Sequence, residues 1–163
     1  MDTTTVLETA QSLLQPWTQA VTQPESHRRD FVIASADVTA AVQALVDARW
    51  GYLGAITGLD LPAPAPAEGQ PPADSHLAAL YQFFNGAAVT TLRVTVPHAQ
   101  PVVPSICDII PSATIYEREL IEMFGFVIEN TPVTDHLLLP DDWPQNVYPL
   151  RKSFTGFGGA ESA

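Results

Sequence analysis

An α+β fold in a single domain, with a mostly antiparallel or mixed sheet flanked by helices and an extended irregular C-terminal arm, is what this 163-residue chain predicts. Three observations lead there. Runs rich in β-branched and aromatic residues occupy the middle of the chain. Segments with helical spacing of apolar residues stand before and after them, and Asn85-Gly86 separates two apolar runs as a hairpin signal. An apolar content of 46% over this length is enough for one core and too little chain for two domains.

Each element follows from local pattern. Val6, Leu7, Leu13 and Leu14 place a short amphipathic helix over Thr5 to about Ala20, interrupted or ended near Pro16. "DFVIASA" reads as a strand. Asp37 is an N-cap for a helix through "VTAAVQALVDARW", where Val38, Ala41, Val42, Leu45 and Val46 recur at helical spacing. "GYLGAITGL" is a strand weakened by its glycines. The Pro- and Ala-rich stretch 60–75 has little to bury and reads as a surface linker, the alternative being a recognition segment for a proline-binding module in a stand-alone interaction module. "HLAALYQFF" and "AAVTTLRVTVP" then form an antiparallel hairpin, and "PVVPSICDIIPSAT" contains a short apolar helix set off by prolines. "FVIEN" is a further strand. Residues 1–130 are thus an α+β domain, and residues 131–163 an extended docking arm and tail.

Composition excludes several functions. The formal charge of −11, from 18 acids against 7 Lys plus Arg, is the wrong sign for a phosphate-binding surface, so no nucleic-acid partner is expected. No apolar run is long enough to span a bilayer, and "MDTTTVLETAQ" lacks the basic start and apolar core of a signal peptide, so a cytoplasmic location is expected. Cys107 is the only cysteine, which excludes an intrachain disulfide and a four-thiolate iron–sulfur cluster. No cofactor or metal is expected in this chain. GxGxxG, Walker, HExxH and GxSxG motifs are absent, and the four histidines, His27, His76, His98 and His136, are scattered and read as solvent-exposed.

The segment that stands out is "IYERELIEMFG". Thr114 and Glu117 have the spacing of a capping box, and Gly125 is placed to end the helix. Tyr116, Leu120, Met123 and Phe124 fall on one face, while Arg118 and Glu122 lie opposite at the spacing of an i, i+4 pair. Glu117 is out of place, because it falls on the apolar side. Three readings are open: a capped helix with a solvated pair, an acid/base pair of Glu117 and Glu119, or a docking surface for another subunit. Residues two apart on a helix point in different directions, which weighs against the acid/base pair. Beyond it, an irregular Pro-rich stretch holds Trp143, Tyr148, Phe154 and the adjacent cations Arg151 and Lys152, which have the character of interface anchors. Asp135, His136, Asp141 and Asp142 match no metal-binding loop, and Asp-Asp before Trp-Pro makes an ordinary turn.

The order of these residues resembles a known family. Pro104, Ser105, Asp108, Pro111, the run Tyr116, Glu117, Arg118, Glu119, then Glu122, Phe124, Gly125, and later Pro149 to Lys152 with Phe154, look like the signature of the 30 kDa (type C) subunit family of respiratory NADH:quinone oxidoreductase, complex I. The likeness covers roughly the C-terminal half. Where that family continues with glycine, histidine, proline and an arginine pair, this chain has Asn130, Thr131, Pro132, Asp135 and His136. "LPDDWPQNVYPLRK" is closer to the version in formate hydrogenlyase and related membrane-bound, energy-converting [NiFe] hydrogenases. The resemblance implies a non-catalytic subunit of the hydrophilic arm. Its partners would be the catalytic large subunit, carrying the Ni–Fe centre or forming the quinone site, and a small subunit with Fe–S clusters. It would lie on the cytoplasmic face of the membrane, attached only through the complex. The expected docking residues are Tyr116, Glu117, Arg118, Glu119, Glu122, Phe124, Trp143, Tyr148, Arg151, Lys152 and Phe154.

Overall fold

A computed structural model describes residues 2–63 and 74–156 of the chain. The elements in order are α1 (Thr3–Leu14), β1 (Thr18–Glu25), β2 (Arg28–Ile33), α2 (Val38–Asp47), β3 (Tyr52–Leu61), β4 (His76–Asn85), β5 (Ala88–Pro97), β6 (Val102–Pro104), α3 (Ala113–Phe124) and β7 (Val127–Glu129). β1 to β5 form one mixed sheet in the order β1-β2-β5-β4-β3, with β2 and β5 parallel and the other pairs antiparallel. β6 and β7 pair in parallel across α3, a small unit that fixes both ends of the charged helix.

The register decides which face is core. Ile56, Gly58 and Asp60 of β3 lie opposite Tyr81, Ala79 and Leu77 of β4, and these opposite Leu92, Val94 and Val96 of β5. Leu92 in turn pairs with Phe31 of β2. With period two along each strand, all of these point to one side. The apolar side chains among them join Leu7, Leu14, Val42, Leu45, Leu120 and Phe124 in one cluster, so all three helices cover the same face of the sheet. α1 packs on α2, β2 and β5, whereas α3 packs on β3. Each fully buried large side chain in that cluster contributes roughly 1.5–3 kcal/mol, which makes this one-sided layer the main stabilising contact. At Gly58 a Cβ would collide with the Phe124 ring, so the absence of a side chain lets α3 lie directly on β3.

Several local expectations are corrected. α1 stops at Leu14, and Pro16 sits in a one-turn 3-10 segment, because a proline inside the helix would lose a backbone bond and clash with the preceding turn. The chain from Thr18 is not helix but strand β1, whose residues are almost all exposed and so carry no apolar alternation. Asp37 makes no side-chain cap, since it belongs to a 3-10 turn running into α2. α2 ends at Asp47, and Trp50 turns back so that its indole N–H donates to the Val6 carbonyl at 3.0 Å. Asp60 and Leu61 belong to β3, and residues 64–73 of the expected linker lie outside the described residues. The hairpin is present, with Gly86-Ala87 as its two-residue turn. "PVVPSICDIIPSAT" holds no helix before α3; it gives β6 and then turns, because Pro101, Pro104 and Pro111 break any continuous bonding.

Candidate docking site around helix α3 and the arm

α3 begins at Ala113 after Ser112, with no side-chain cap. The expected capping box does not form. Thr114 Oγ1 is buried and finds no partner among the described residues, and Glu117 has turned the other way. The Glu117 carboxylate is buried, 2% exposed, and accepts from the Ser105 hydroxyl at 2.8 and 3.0 Å, the Ile106 N–H at 2.8 Å and the Cys107 thiol at 3.2 Å. Ser105 Oγ also accepts the Cys107 N–H at 3.1 Å. The group thus closes the loop that follows β6. Burial above all, with the bond and charge of Glu117 adding and the Ser105 bond opposing, raises the Cys107 thiol above its ordinary range, so it stays protonated and donating. Burial first and the Glu117 charge second also push the Tyr81 hydroxyl up.

On the opposite side of α3, Arg118 and Glu122 do not pair with each other. Both hold the same stretch of the arm. Arg118 Nε donates to the Asp135 carbonyl at 2.8 Å and its Nη2 to the His136 carbonyl at 2.6 Å. The Glu122 carboxylate accepts the N–H groups of Leu137, Leu138 and Leu139, the last two at 3.0 Å. A cation takes the carbonyls and an anion the amides of one chain reversal, which is the complement the peptide dipoles require. Burial acts to raise the Glu122 pKa, but the three N–H bonds and the nearby His136 outweigh it and hold the carboxyl below the ordinary glutamate range.

Further along, the arm is fastened to the C-terminal end of α3. Gly125 takes the left-handed φ of 72° and closes the helix through its N–H to Ile121 and that of Phe126 to Leu120. The Arg151 Nε donates to the Phe124 carbonyl at 2.6 Å, placing a cation at the negative helix end, and its guanidinium lies 4.5 Å from the centre of the Tyr148 ring. Leu150 N–H bonds the Met123 carbonyl at 3.1 Å, and Lys152 N–H bonds Asp60 Oδ2 at 2.7 Å. Trp143 bonds the Val147 carbonyl through its indole and tilts against Phe154 with centroids 6.4 Å apart. Tyr148 lies against Gly125, where any Cβ would strike its ring. Gly125→Ala is therefore expected to lower stability by about 1–3 kcal/mol, from φ strain plus the displaced ring, read as an earlier denaturant midpoint.

Of the sequence-predicted residues, the structure brings Glu117, Arg118, Glu122, Tyr148 and Arg151 into contacts within their own chain. Tyr116 donates its hydroxyl to the Gly54 carbonyl at 2.8 Å, and Phe124 is core. Glu119 makes no ion pair or hydrogen bond among the described residues. Sequence reasoning missed Asp60, His98, Ser105 and Cys107 as contact residues. His98, read as solvent-exposed, is held 2.6 Å from the buried Asp60 by its Nε2. The signal for Asp60 was a lone acid at the end of an apolar strand. No group of three or more His, Cys, Asp or Glu that could hold a metal occurs among the described residues, and Asp141-Asp142 form a turn closed by Trp143 N–H to the Pro140 carbonyl.

Fold and site together define an α+β domain whose charged helix braces an appended arm. Residues 31–159 match the family of the 30 kDa subunit of the respiratory-chain NADH dehydrogenase, and the chain belongs to that family. A relative from Acidothermus cellulolyticus, the type C subunit of NADH-quinone oxidoreductase, is 41% identical over 39% of this chain and 32% of its own length. Membrane-bound hydrogenase subunit beta of Pyrococcus furiosus is 37% identical over 50% of this chain and 47% of its own. The matched stretch thus spans less than half of either relative. In fold, the chain is similar to a component in the structure of a membrane-bound sulfane sulfur reductase, an archaeal respiratory membrane complex, with a TM-score of 0.62 over 91% of this chain and 84% of that one at 18% identity.

Proposed function

We propose that this protein is a non-catalytic subunit of the hydrophilic arm of a membrane-bound oxidoreductase complex of the energy-converting [NiFe] hydrogenase type, docked on the catalytic large subunit and beside an Fe–S small subunit. The observation that carries this is where the exposed large apolar residues lie. Six are exposed among the described residues, and four of them, Ile115, Val127, Leu138 and Leu150, sit on α3, β7 and the arm. The arm is thus fastened by its polar groups and turns leucines outward, an arrangement that favours burial against another protein. The hydrogenase type is favoured by "LPDDWPQNVYPLRK" and by Asn130, Thr131 and Pro132 in place of a histidine and arginines. The Ni–Fe centre, or a quinone site, and the Fe–S clusters would lie in the partners, and the chain would be peripheral on the cytoplasmic face. No helix among the described residues is long and apolar enough to cross a membrane, so attachment would run through the complex. A second reading, the 30 kDa subunit of an NADH:quinone oxidoreductase, is favoured by the 41% identity to the Acidothermus protein.

Tagged protein drawn from its host's membranes in mild detergent should bring a large catalytic subunit with it and evolve hydrogen. NADH:quinone activity instead would select the second reading, and a lone monomer in the soluble fraction would contradict both. Substitutions separate docking from folding. Lys152 has an exposed side chain with no ion pair among the described residues, so Lys152→Glu is expected to cut the yield of complex about tenfold or more with the melting temperature unchanged. Arg151→Glu loses its bond to the Phe124 carbonyl and its place on Tyr148, and should lower both.

A further inference from the structure

The two ends of the sheet are built differently. β1 is exposed along nearly all its length, contains Pro24 and Glu25, and departs twice from regular register against β2. These are the features that keep an edge strand from pairing with another chain. β3, at the other end, has ten residues, no proline, and no charge except Asp60, with one irregularity between Leu53 and Ala55. The Asp60 carboxylate is turned to His98 and the Lys152 N–H, so it does not guard the edge.

Among the described residues no strand continues the ladder beyond β3, and apart from its pairing with β4 its backbone is bonded only by the Tyr116 hydroxyl, on the Gly54 carbonyl. Beside the second half of the strand runs a groove of about 380 Å³, lined by Gly58, Leu59, Asp60, Leu61, Phe124, Leu150 and Lys152. An unpaired row of backbone donors and acceptors next to an apolar groove recognises an extended chain: the main chain supplies hydrogen bonds, and alternate side chains enter the groove. Lys152 adds a charge preference. Its ammonium has no ion pair among the described residues, and the one anion of the lining, Asp60, is already engaged by His98 and the Lys152 N–H, so the cation favours a carboxylate on the occupant, whereas a second copy of this chain would bring like net charge.

We propose that the free edge of β3 seats an extended, largely apolar segment of a partner subunit, with a carboxylate at the Lys152 end, as one further strand of the sheet. This rests on the reading of the protein as a subunit of a larger assembly; it shares Leu150 and Lys152 with that docking surface and adds the free edge of β3, which that reading does not require. Amide hydrogen exchange over residues 52–61 in the complex purified from membranes, compared with the isolated chain, tests it. Alternate amides should exchange about tenfold or more slowly in the complex, and a photoreactive p-benzoylphenylalanine at the exposed Thr57 should crosslink to a segment of the partner. A complex that forms while residues 52–61 exchange as they do in the isolated chain overturns the inference and leaves the subunit reading standing. Crosslinking of Thr57 only to a second copy, or to this chain itself, also overturns it. If no partner accompanies the protein, both fall together.

Discussion

Glu117→Ala is expected to lower the stability of the isolated chain by about 3 kcal/mol, seen as a fall in melting temperature of roughly 10 °C. The carboxylate is buried and holds the Ser105 hydroxyl, the Ile106 N–H and the Cys107 thiol at once. Truncation leaves the Ile106 N–H, which has no other acceptor among the described residues, unpaired, and charge-assisted bonds of this kind contribute about 1.5–3 kcal/mol each. The loop after β6 would lose its attachment to α3. Glu117→Gln, which keeps one acceptor oxygen, should fall between the two. A change below about 2 °C for the alanine variant would mean that the loop is held by packing alone.

Glu122→Gln is expected to release the arm with little effect on the melting temperature. Three consecutive backbone N–H groups converge on this one carboxylate, and an amide can satisfy them only in part while presenting its own N–H to the others. A loss of about 2 kcal/mol in holding the arm corresponds to roughly thirtyfold faster proteolysis within 131–156, where local opening limits cleavage. Acid should act in the same direction. Because the folded-state pKa of Glu122 is depressed, its stabilisation is complete above the ordinary glutamate range and is lost as pH falls through the lower folded value. Cleavage of the arm in wild type should therefore accelerate below that range, and the Glu122→Gln variant should show a weaker pH dependence. Equal protection of the arm in both proteins would refute the clasp.

The two faces of α3 show what a sequence discloses and what it does not. Periodicity placed the helix, its Gly125 stop, and the anomaly of Glu117 on an apolar face. It could not supply Glu117's partners, because Ser105 to Cys107 reach it only through the β6-α3-β7 unit, and local spacing offered Thr114 in their place. Arg118 and Glu122 are at pairing distance along the helix, but an exposed pair of that kind is worth only a few tenths of a kcal/mol. Backbone groups of residues 135–139, supplied by the arm, compete successfully for both side chains. β1 was illegible for a different reason: its residues are exposed on both sides, and it is a strand only because β2 offers an edge. The β4-β5 hairpin was legible because turn chemistry and apolar runs agree there.

The family signature was legible in the same segments, and it includes residues that join α3 to the arm: Arg118 and Glu122 hold residues 135–139, and Leu150 and Arg151 bond the end of α3. The charged helix thus works first on its own chain: it fixes the shape of the arm, and the arm presents Leu138, Leu150 and Lys152 outward.

Amide exchange at Leu137, Leu138 and Leu139 in the isolated wild-type chain is the most direct check of that claim. These residues belong to no helix or strand, so protection there has one structural source, the Glu122 carboxylate. All three amides are expected to exchange slowly in wild type and to speed up in Glu122→Gln. Free exchange at all three in the wild-type protein would contradict the account.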